Sequence, residues 1–475
     1  MRAFWAIVKL TLRHAIRSHI FQLLAGLLVF CVLFIPTTVG GGTASEFIRV
    51  SLLYSFWAVS IVLALSSIWL GCFAMTHDVD SYQLHMVVCK PVSRTTVWLA
   101  KWTGVNLINI ILLVFSTLAI YCIIQYRFST EDFTEEERNK IRNEVMTGRR
   151  VFMPKKPDYN AMTRQNMRNK IERLKAQGAQ IDTSAAGQQK IYEESRMEVV
   201  SQDSEVKPGI RKTWVFENLP AKLEKPIFLR YRTYVSKVSS EDQRMTRLFW
   251  FLGIPQLSAQ ANDNVFNSQK KAAYDIMLYP LAQNPEQVMS GQFHEKMLRP
   301  EWKMVTPDNT VVVAMVNCDD AKATQFFQPK DGPKLLIEVC GFFGNYSKAV
   351  LIIILELLIL SGFACAFGGC MSMPTAIFVE VAYLLFGSFS VYMTNQSYLN
   401  GAADQIGLFV AKLLLIVVIP LQAFEHTNAL AGGELIEWSL IWNLFWYYFL
   451  CRAVPLLLLG IYFYRRRELG LVIRK

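Results

Sequence analysis

Long apolar runs dominate the pattern of this chain. A hydrocarbon core about 30 Å thick is crossed by about 20 helical residues at 1.5 Å each. The runs at 20–38, 51–75, 102–124, 347–368, 374–395 and 439–463 meet that length and predict six transmembrane helices. Between the third and fourth runs lies a long polar region, 125–345, whose pattern changes part-way. Up to about Val200 it is highly charged, and TEEERNKIRNEV and TRQNMRNKIERLKAQ place opposite charges four residues apart, so 125–206 reads as exposed charged helix. From 207 to 345 short β-branched and aromatic runs, TWVFE, IFLRYRTYV, VVVAMVN and KLLIEV, alternate with Pro, Gly, Asn and Asp turns. That spacing predicts a small β-sandwich. The expected fold is an α-helical polytopic membrane protein, spans at 20–124 and 346–475, with an inserted α+β domain.

Composition agrees: 52% of the 475 residues are hydrophobic and 13% aromatic, above the usual balance of a soluble domain. The net charge of +11 raises nucleic acid as a partner, but much of the excess sits at the ends of the apolar runs, so no nucleic acid is expected. Arg2, Lys9, Arg13 and Arg17 precede the first run, and Arg465, Arg466, Arg467, Arg474 and Lys475 follow the last. By the positive-inside rule both termini are cytoplasmic. The N-terminus has a rival reading as a cleaved signal peptide, with Phe21 to Ile35 as its apolar core. The basic positions, however, recur at helical spacing beside Phe4, Trp5, Val8, Leu12 and Ile16, which favours an interfacial amphipathic helix over 1–19 and a retained first span.

Counting spans from a cytoplasmic N-terminus places the loop 76–101 inside and 125–345 outside, in the extracytoplasmic space. The segments 396–405 and 425–438 contain no lysine or arginine, so neither reads as cytoplasmic. A full crossing by Ile406 to Phe424 would force one of them inside and the basic tail out. That run is therefore expected to be re-entrant, broken near Pro420, or interfacial.

Glu356, Glu380 and Arg452 are ionisable residues inside apolar runs, and such groups face a bundle interior or a wet cavity. An ion pair across helices is one arrangement open to them. Helix packing is the favoured role and a place on a substrate pathway the second. Lys412 can snorkel. The nine cysteines show no paired zinc-type spacing; most lie in or beside apolar runs and read as packing, including Cys365 and Cys370 of CAFGGCMSM. No metal site is expected, and a disulfide between Cys318 and Cys340 is the minor alternative.

The inner loop carries HMVVCKPVSRTTVWLAKW, His85 to Trp102. Proline disfavours helix in the residue before it, so a short helix near Asp78 to Val88 ends before Pro91, and Ser93 is placed to cap the next. Nowhere does GxxxxGK[ST] occur, so the chain has no usual nucleotide cradle, and GxSxG, HExxH and EF-hand patterns are absent too. Catalysis by the chain itself is not expected.

The ordered set of an amphipathic N-terminal helix, two spans, a loop with KPVSR followed by a lysine opening the third span, GFFGNYSKAV at the fourth, and a last span ending in YRRREL resembles the permease subunit of type 2 ABC transporters. It is most similar to the multi-copper-enzyme maturation and gliding-motility branch, over 1–127 and 341–475. The resemblance implies a bacterial inner-membrane protein that pairs with a second copy or a related permease and works with a separate ABC ATPase subunit, which binds ATP and magnesium; this chain itself would hold no cofactor. It also implies that the inner loop is a coupling helix, making Asp78, Asp80, Tyr82, Leu84, His85, Pro91 and Arg94 candidate ATPase contacts. Export is the expected direction, and the outer domain a place for cargo or a partner protein. The competing reading is a non-transporting scaffold or receptor anchored by its spans.

Overall fold

The computed structural model describes residues 1–38, 44–80, 92–177, 185–223, 225–235, 245–257, 274–319, 323–328, 331–394 and 402–466. It divides into two units, one of Met1–Gly148 with Cys340–Lys475 and the other Arg149–Val339.

The first unit is helical. It contains α1 (Arg2–Arg17), α2 (His19–Thr38), α3 (Ala44–Asp80), α4 (Arg94–Thr130) and α5 (Glu135–Glu144), then α8 (Phe342–Cys370), α9 (Met373–Thr394), α10 (Ala402–Val417), α11 (Thr427–Ala431), α12 (Trp438–Asn443) and α13 (Val454–Arg466). Helices α6 and α7 belong to the second unit. A π-helical stretch, Leu444–Ala453, joins α12 to α13. Six helices among the described residues are long and apolar enough to cross a membrane: α2, α3, α4, α8, α9 and the continuous Trp438–Arg466. They match the six apolar runs of the sequence.

Helix α1 buries Val8, Thr11 and Ala15 along one stripe and leaves Lys9 and Arg13 exposed on the other. Its stripe meets α4 where Gly104 has no side chain: a Cβ there would lie 2.9 Å from Thr11 Cβ.

Small residues also set the centre. A Cβ on Gly71 would lie 2.3 Å from Ala364 Cβ, and one on Gly368 2.9 Å from Cys72 Cα, so α3 and α8 touch almost backbone to backbone. The contacts fix direction. Phe56 meets Tyr346 at 5.0 Å between ring centroids and Cys72 lies beside Gly368, so α3 and α8 run parallel. Trp102 bonds to Leu358 O while Tyr121 stacks on Phe342, so α4 runs antiparallel to them. Gly362 packs on Leu457 and Gly369 on Tyr464, so α13 is parallel to α8. One end of the bundle therefore gathers His77, Lys101, Cys370 and Arg466; Phe342 and Tyr121 mark the other.

Helix α10 and the 3-10 turn Leu421–Phe424 with α11 form two helical pieces bent by 56°. The break falls at Val418 to Pro420, beside α9: Ile419 N donates to Tyr383 Oη at 2.9 Å, and Val418 fills the space over Gly387. The chain then reaches the first turn of α8, where buried Asn345 donates to Glu434 O and accepts from Ile436 N, each at 2.8 Å. Gly433 makes this turn with φ +66°, and a Cβ there would lie 2.2 Å from Glu144 O. Helix α5 starts with a capping box between Thr134 and Glu137, whose hydrogen bonds hold the Glu137 carboxyl below the usual carboxylate range. It packs on the bundle through Ile141.

Among the described residues the second unit holds a helical hairpin and three sheets. One sheet has the order β1 (Thr147–Phe152), β12 (Lys334–Gly341), β4 (Ile227–Arg232), β9 (Phe293–Leu298). A second has the order β3 (Arg211–Phe216), β10 (Val311–Asn317), β6 (Met245–Leu257), β7 (Tyr274–Pro280), with β8 (Glu286–Met289) also on β6. The smallest has the order β2 (Glu205–Val206), β11 (Gln325–Phe326), β5 (Tyr234–Val235). Trp214, Trp250 and Val313 of the second sheet share one core with Leu229, Tyr231 and Leu335 of the first. Helices α6 (Tyr159–Ala176) and α7 (Ala185–Ser204) pack together, with Lys170 between Glu194 and Glu198 at 3.1 and 2.8 Å. The charged stretch 125–206 thus contains the expected helices, but also β1, which the sequence pattern did not show. Its Arg149 is fully buried, with Nη1 and Nη2 both donating to Glu295 at 2.7 and 3.0 Å. The β4–β9 register sets Arg230 directly opposite the same Glu295. Pairing is what lets an arginine-rich stretch enter a sheet. Cys318 and Cys340 are not joined by a disulfide.

Because Glu295 is shared by two buried arginines, Glu295→Ala is expected to cost about 3–5 kcal/mol, the usual penalty for removing one partner of a buried pair. Limited proteolysis of the full chain reads this as early cleavage within 149–339; protection equal to the wild type would refute the pairing.

Candidate functional site: the polar seam of the helical unit

At the His77 end, Ser93 caps α4, its Oγ accepting from Thr96 N at 3.1 Å. This is the cap that the sequence predicts. Arg94 opens the helix and donates to Arg465 O at 2.9 Å, so the start of α4 is tied to the end of α13. Asp78 and Asp80 lie in the last turn of α3. Tyr82, Leu84, His85 and Pro91 lie outside the described residues, as does the helix expected near Asp78 to Val88 from residue 81 onward, its first three positions being the end of α3. His77 stacks on Phe73 at 4.8 Å and meets His14 of α1 edge-on at 5.7 Å. Lys101, almost fully buried, donates to Ala74 O.

Inward from Lys101 runs a line of buried polar groups between α3, α4 and α8. Trp102 Nε1 donates to Ser361 Oγ at 3.1 Å, and Ser361 Oγ donates to Asn106 Oδ1 at 2.8 Å. Asn109, with no exposed surface, accepts from Ser66 Oγ at 3.0 Å and donates to Ser67 Oγ at 2.9 Å. Farther on, Tyr346 Oη donates to Thr117 O. These bonds tie three long helices along their length. An apolar solvent offers the seam no other partner, so the helices keep their register or lose the bonds. The sequence reading missed the seam, although Trp102, Asn106 and Asn109, spaced four and three apart, share one face of α4. Uncharged polar residues lower the apolar character of a run too little to stand out.

The three intramembrane charges do not meet. Glu356 is buried and accepts from Ser60 Oγ at 3.3 Å. Glu380 is fully buried, with Cys72 Sγ 4.0 Å from Oε2 and no hydrogen-bond partner for Oε1 among the described residues. Arg452 donates to Tyr447 Oη and lies over the Tyr447 and Tyr448 rings at 4.4 and 5.4 Å. The ion pair entertained for these residues is therefore absent among the described residues. The π-helical stretch is the reason: residues five apart share a face there, so Arg452 falls on Tyr447 of its own helix.

Cys365 is buried in the bundle, whereas Cys370 and Met371 line a groove between α8, α9 and α13. Among the described residues no group of three or more His, Cys, Asp or Glu could hold a metal ion. In the second unit a cleft of about 380 Å³ is lined by Lys155, Tyr159, Asp203, Lys212 and Trp214. Tyr159 donates to Asp203 at 2.7 Å, and burial, then that bond, pushes its hydroxyl up to about 12. No family model, curated protein or solved structure matches the chain.

Loss of the Asn109 bonds in Asn109→Leu should lower stability by about 0.6–1.7 kcal/mol, the range for buried hydrogen bonds between membrane helices. Glu380→Gln keeps the shape of the side chain and breaks no ion pair among the described residues, so its Tm in detergent should stay at or above the wild-type value. A fall larger than that of Asn109→Leu would mean that Glu380 has a cationic partner.

Proposed function

We propose that the chain is the permease subunit of a type 2 ABC transporter, located in the bacterial inner membrane, and that it couples a membrane pathway to ATP hydrolysis by a separate subunit. One observation carries this reading most: the two helices that flank residues 81–91 are the longest among the described residues and are bonded to each other and to α8. Each has 37 residues, about 55 Å at 1.5 Å per residue, against a hydrocarbon core of about 30 Å. Each therefore extends beyond the membrane as a rigid arm. Force applied to the loop between them reaches α8 through Lys101, Trp102 and Ser361. An ATPase closing on the loop can tilt the spans in this way.

In this reading Asp78, Asp80, Tyr82, Leu84, His85, Pro91 and Arg94 face the ATPase. The end carrying His77, Lys101 and Arg466 is cytoplasmic, where the basic tail belongs. Residues 402–431 form a re-entrant pair, because α9 leaves the Cys370 end and Ile436 is bound at the first turn of α8, which favours entry and return on the outer side. The sheets form an extracytoplasmic β-sandwich, and its 380 Å³ cleft is a place for cargo or a partner protein. Two permeases, identical or related, form the pathway, and export is the direction.

The test is co-purification with a phosphate-loop ATPase, sought first among the proteins encoded beside this chain, followed by ATP hydrolysis. Pro91→Ala with Arg94→Ala should weaken association about tenfold, or about 1.4 kcal/mol, and lower the coupled hydrolysis. Unchanged association and hydrolysis would remove the coupling assignment and leave the scaffold reading.

A further inference from the structure

The groove between α8, α9 and α13 has a volume of about 680 Å³, within the range of ligand pockets. Its existence follows from two small residues. Gly460 of α13 sits so close to α8 that a Cβ on it would lie 2.4 Å from Ala366 Cβ. The helices touch there, and the larger side chains around that contact stand apart. Phe363 and Phe367 form one wall and Leu456, Leu459 and Phe463 the other, with Leu459 and Phe463 about half exposed at the mouth.

At one end the lining stops being apolar, because Arg466 closes it. Its guanidinium lies 4.6 Å from the Tyr462 ring centroid, and no carboxylate pairs with it among the described residues. From Leu456 to Arg466 is ten residues, about 15 Å along the helix, or half of a hydrocarbon core about 30 Å thick. The groove thus has the depth of one leaflet and a cation at its headgroup end.

We propose that this groove binds one anionic glycerophospholipid of that leaflet, its phosphate on Arg466 and an acyl chain along α13. Every lipid of the bilayer brings an acyl chain, so filling the apolar walls does not discriminate among them. The guanidinium does. It matches phosphate oxygens in geometry and charge, and in an apolar setting that bond is stronger than in water. A second copy of the chain is a poorer occupant: the apolar surface of α2, with Leu27, Phe30, Leu33 and Phe34 exposed, has no carboxylate to offer Arg466. The proposal requires that the helices cross a bilayer. It stands whether or not the chain works with an ATPase.

The experiment is native mass spectrometry of the full chain, titrated with phosphatidylglycerol or with phosphatidylcholine of the same acyl chains. The wild type should retain one phosphatidylglycerol with clear preference. Arg466→Gln should weaken that retention about tenfold, to the level of phosphatidylcholine, as expected for a lost charge-assisted hydrogen bond. Arg465→Gln should change nothing, since Arg465 contributes its carbonyl and not its side chain to the neighbouring contact with Arg94. Leu459→Trp should fill the mouth and remove the bound lipid of either class. Three results would overturn the site: preference kept in Arg466→Gln, equal loss in Arg465→Gln, or a groove variant that changes the dimer fraction while the lipid count holds.

Discussion

Inside a membrane a polar side chain must find its partner in the protein, and the helical unit is arranged around that requirement. Ser66, Ser67, Asn106, Asn109, Trp102 and Ser361 satisfy one another across α3, α4 and α8. They do so because Gly71, Ala364 and Gly368 let α3 and α8 approach to near backbone contact. Larger residues there would open the seam and leave donors facing hydrocarbon. Small residues and polar residues are therefore two halves of one device. The first brings the helices together, and the second fixes their register.

That device gives the rest of the unit its direction. Since Lys101 of α4 is bonded to α3 and Arg94 to the end of α13, the His77 end is tied together across three helices. At the opposite end Asn345 holds the returning chain by two hydrogen bonds, and Gly433 permits the turn against Glu144. Between these ends lie Glu356 and Glu380, each buried and neither joined to Arg452. They are held by a serine and approached by a thiol, a setting in which small helix movements change what each carboxyl group touches.

Much of the membrane part was legible in the sequence, because an apolar run long enough to cross a bilayer has few other uses. The six runs became six helices, the break near Pro420 fell where the proline removes a donor, and Ser93 became the cap that its position before RTTVW implied. What was hidden depended on contacts between segments far apart. Strand β1 reads as a charged helix neighbour until Glu295 is placed beside Arg149. The π-helical turn has no local signature, so the partner of Arg452 was sought on another helix when it was Tyr447. The seam escaped because asparagine and serine scarcely interrupt hydropathy, although their spacing on one face of α4 recorded it. Of the loop candidates, Arg94 gained a partner; Tyr82, Leu84, His85 and Pro91 lie outside the described residues.

The account rests on a bundle whose two ends face two compartments. Single cysteines introduced at Ser129, Lys222, Asn428 and Ser372, in a chain otherwise free of cysteine, test this with a membrane-impermeant thiol reagent on intact cells. The account predicts labelling at the first three positions, and at Ser372 only after the membrane is opened. Labelling at Ser372 in intact cells, or protection at Asn428 with labelling at Ser129, would contradict it.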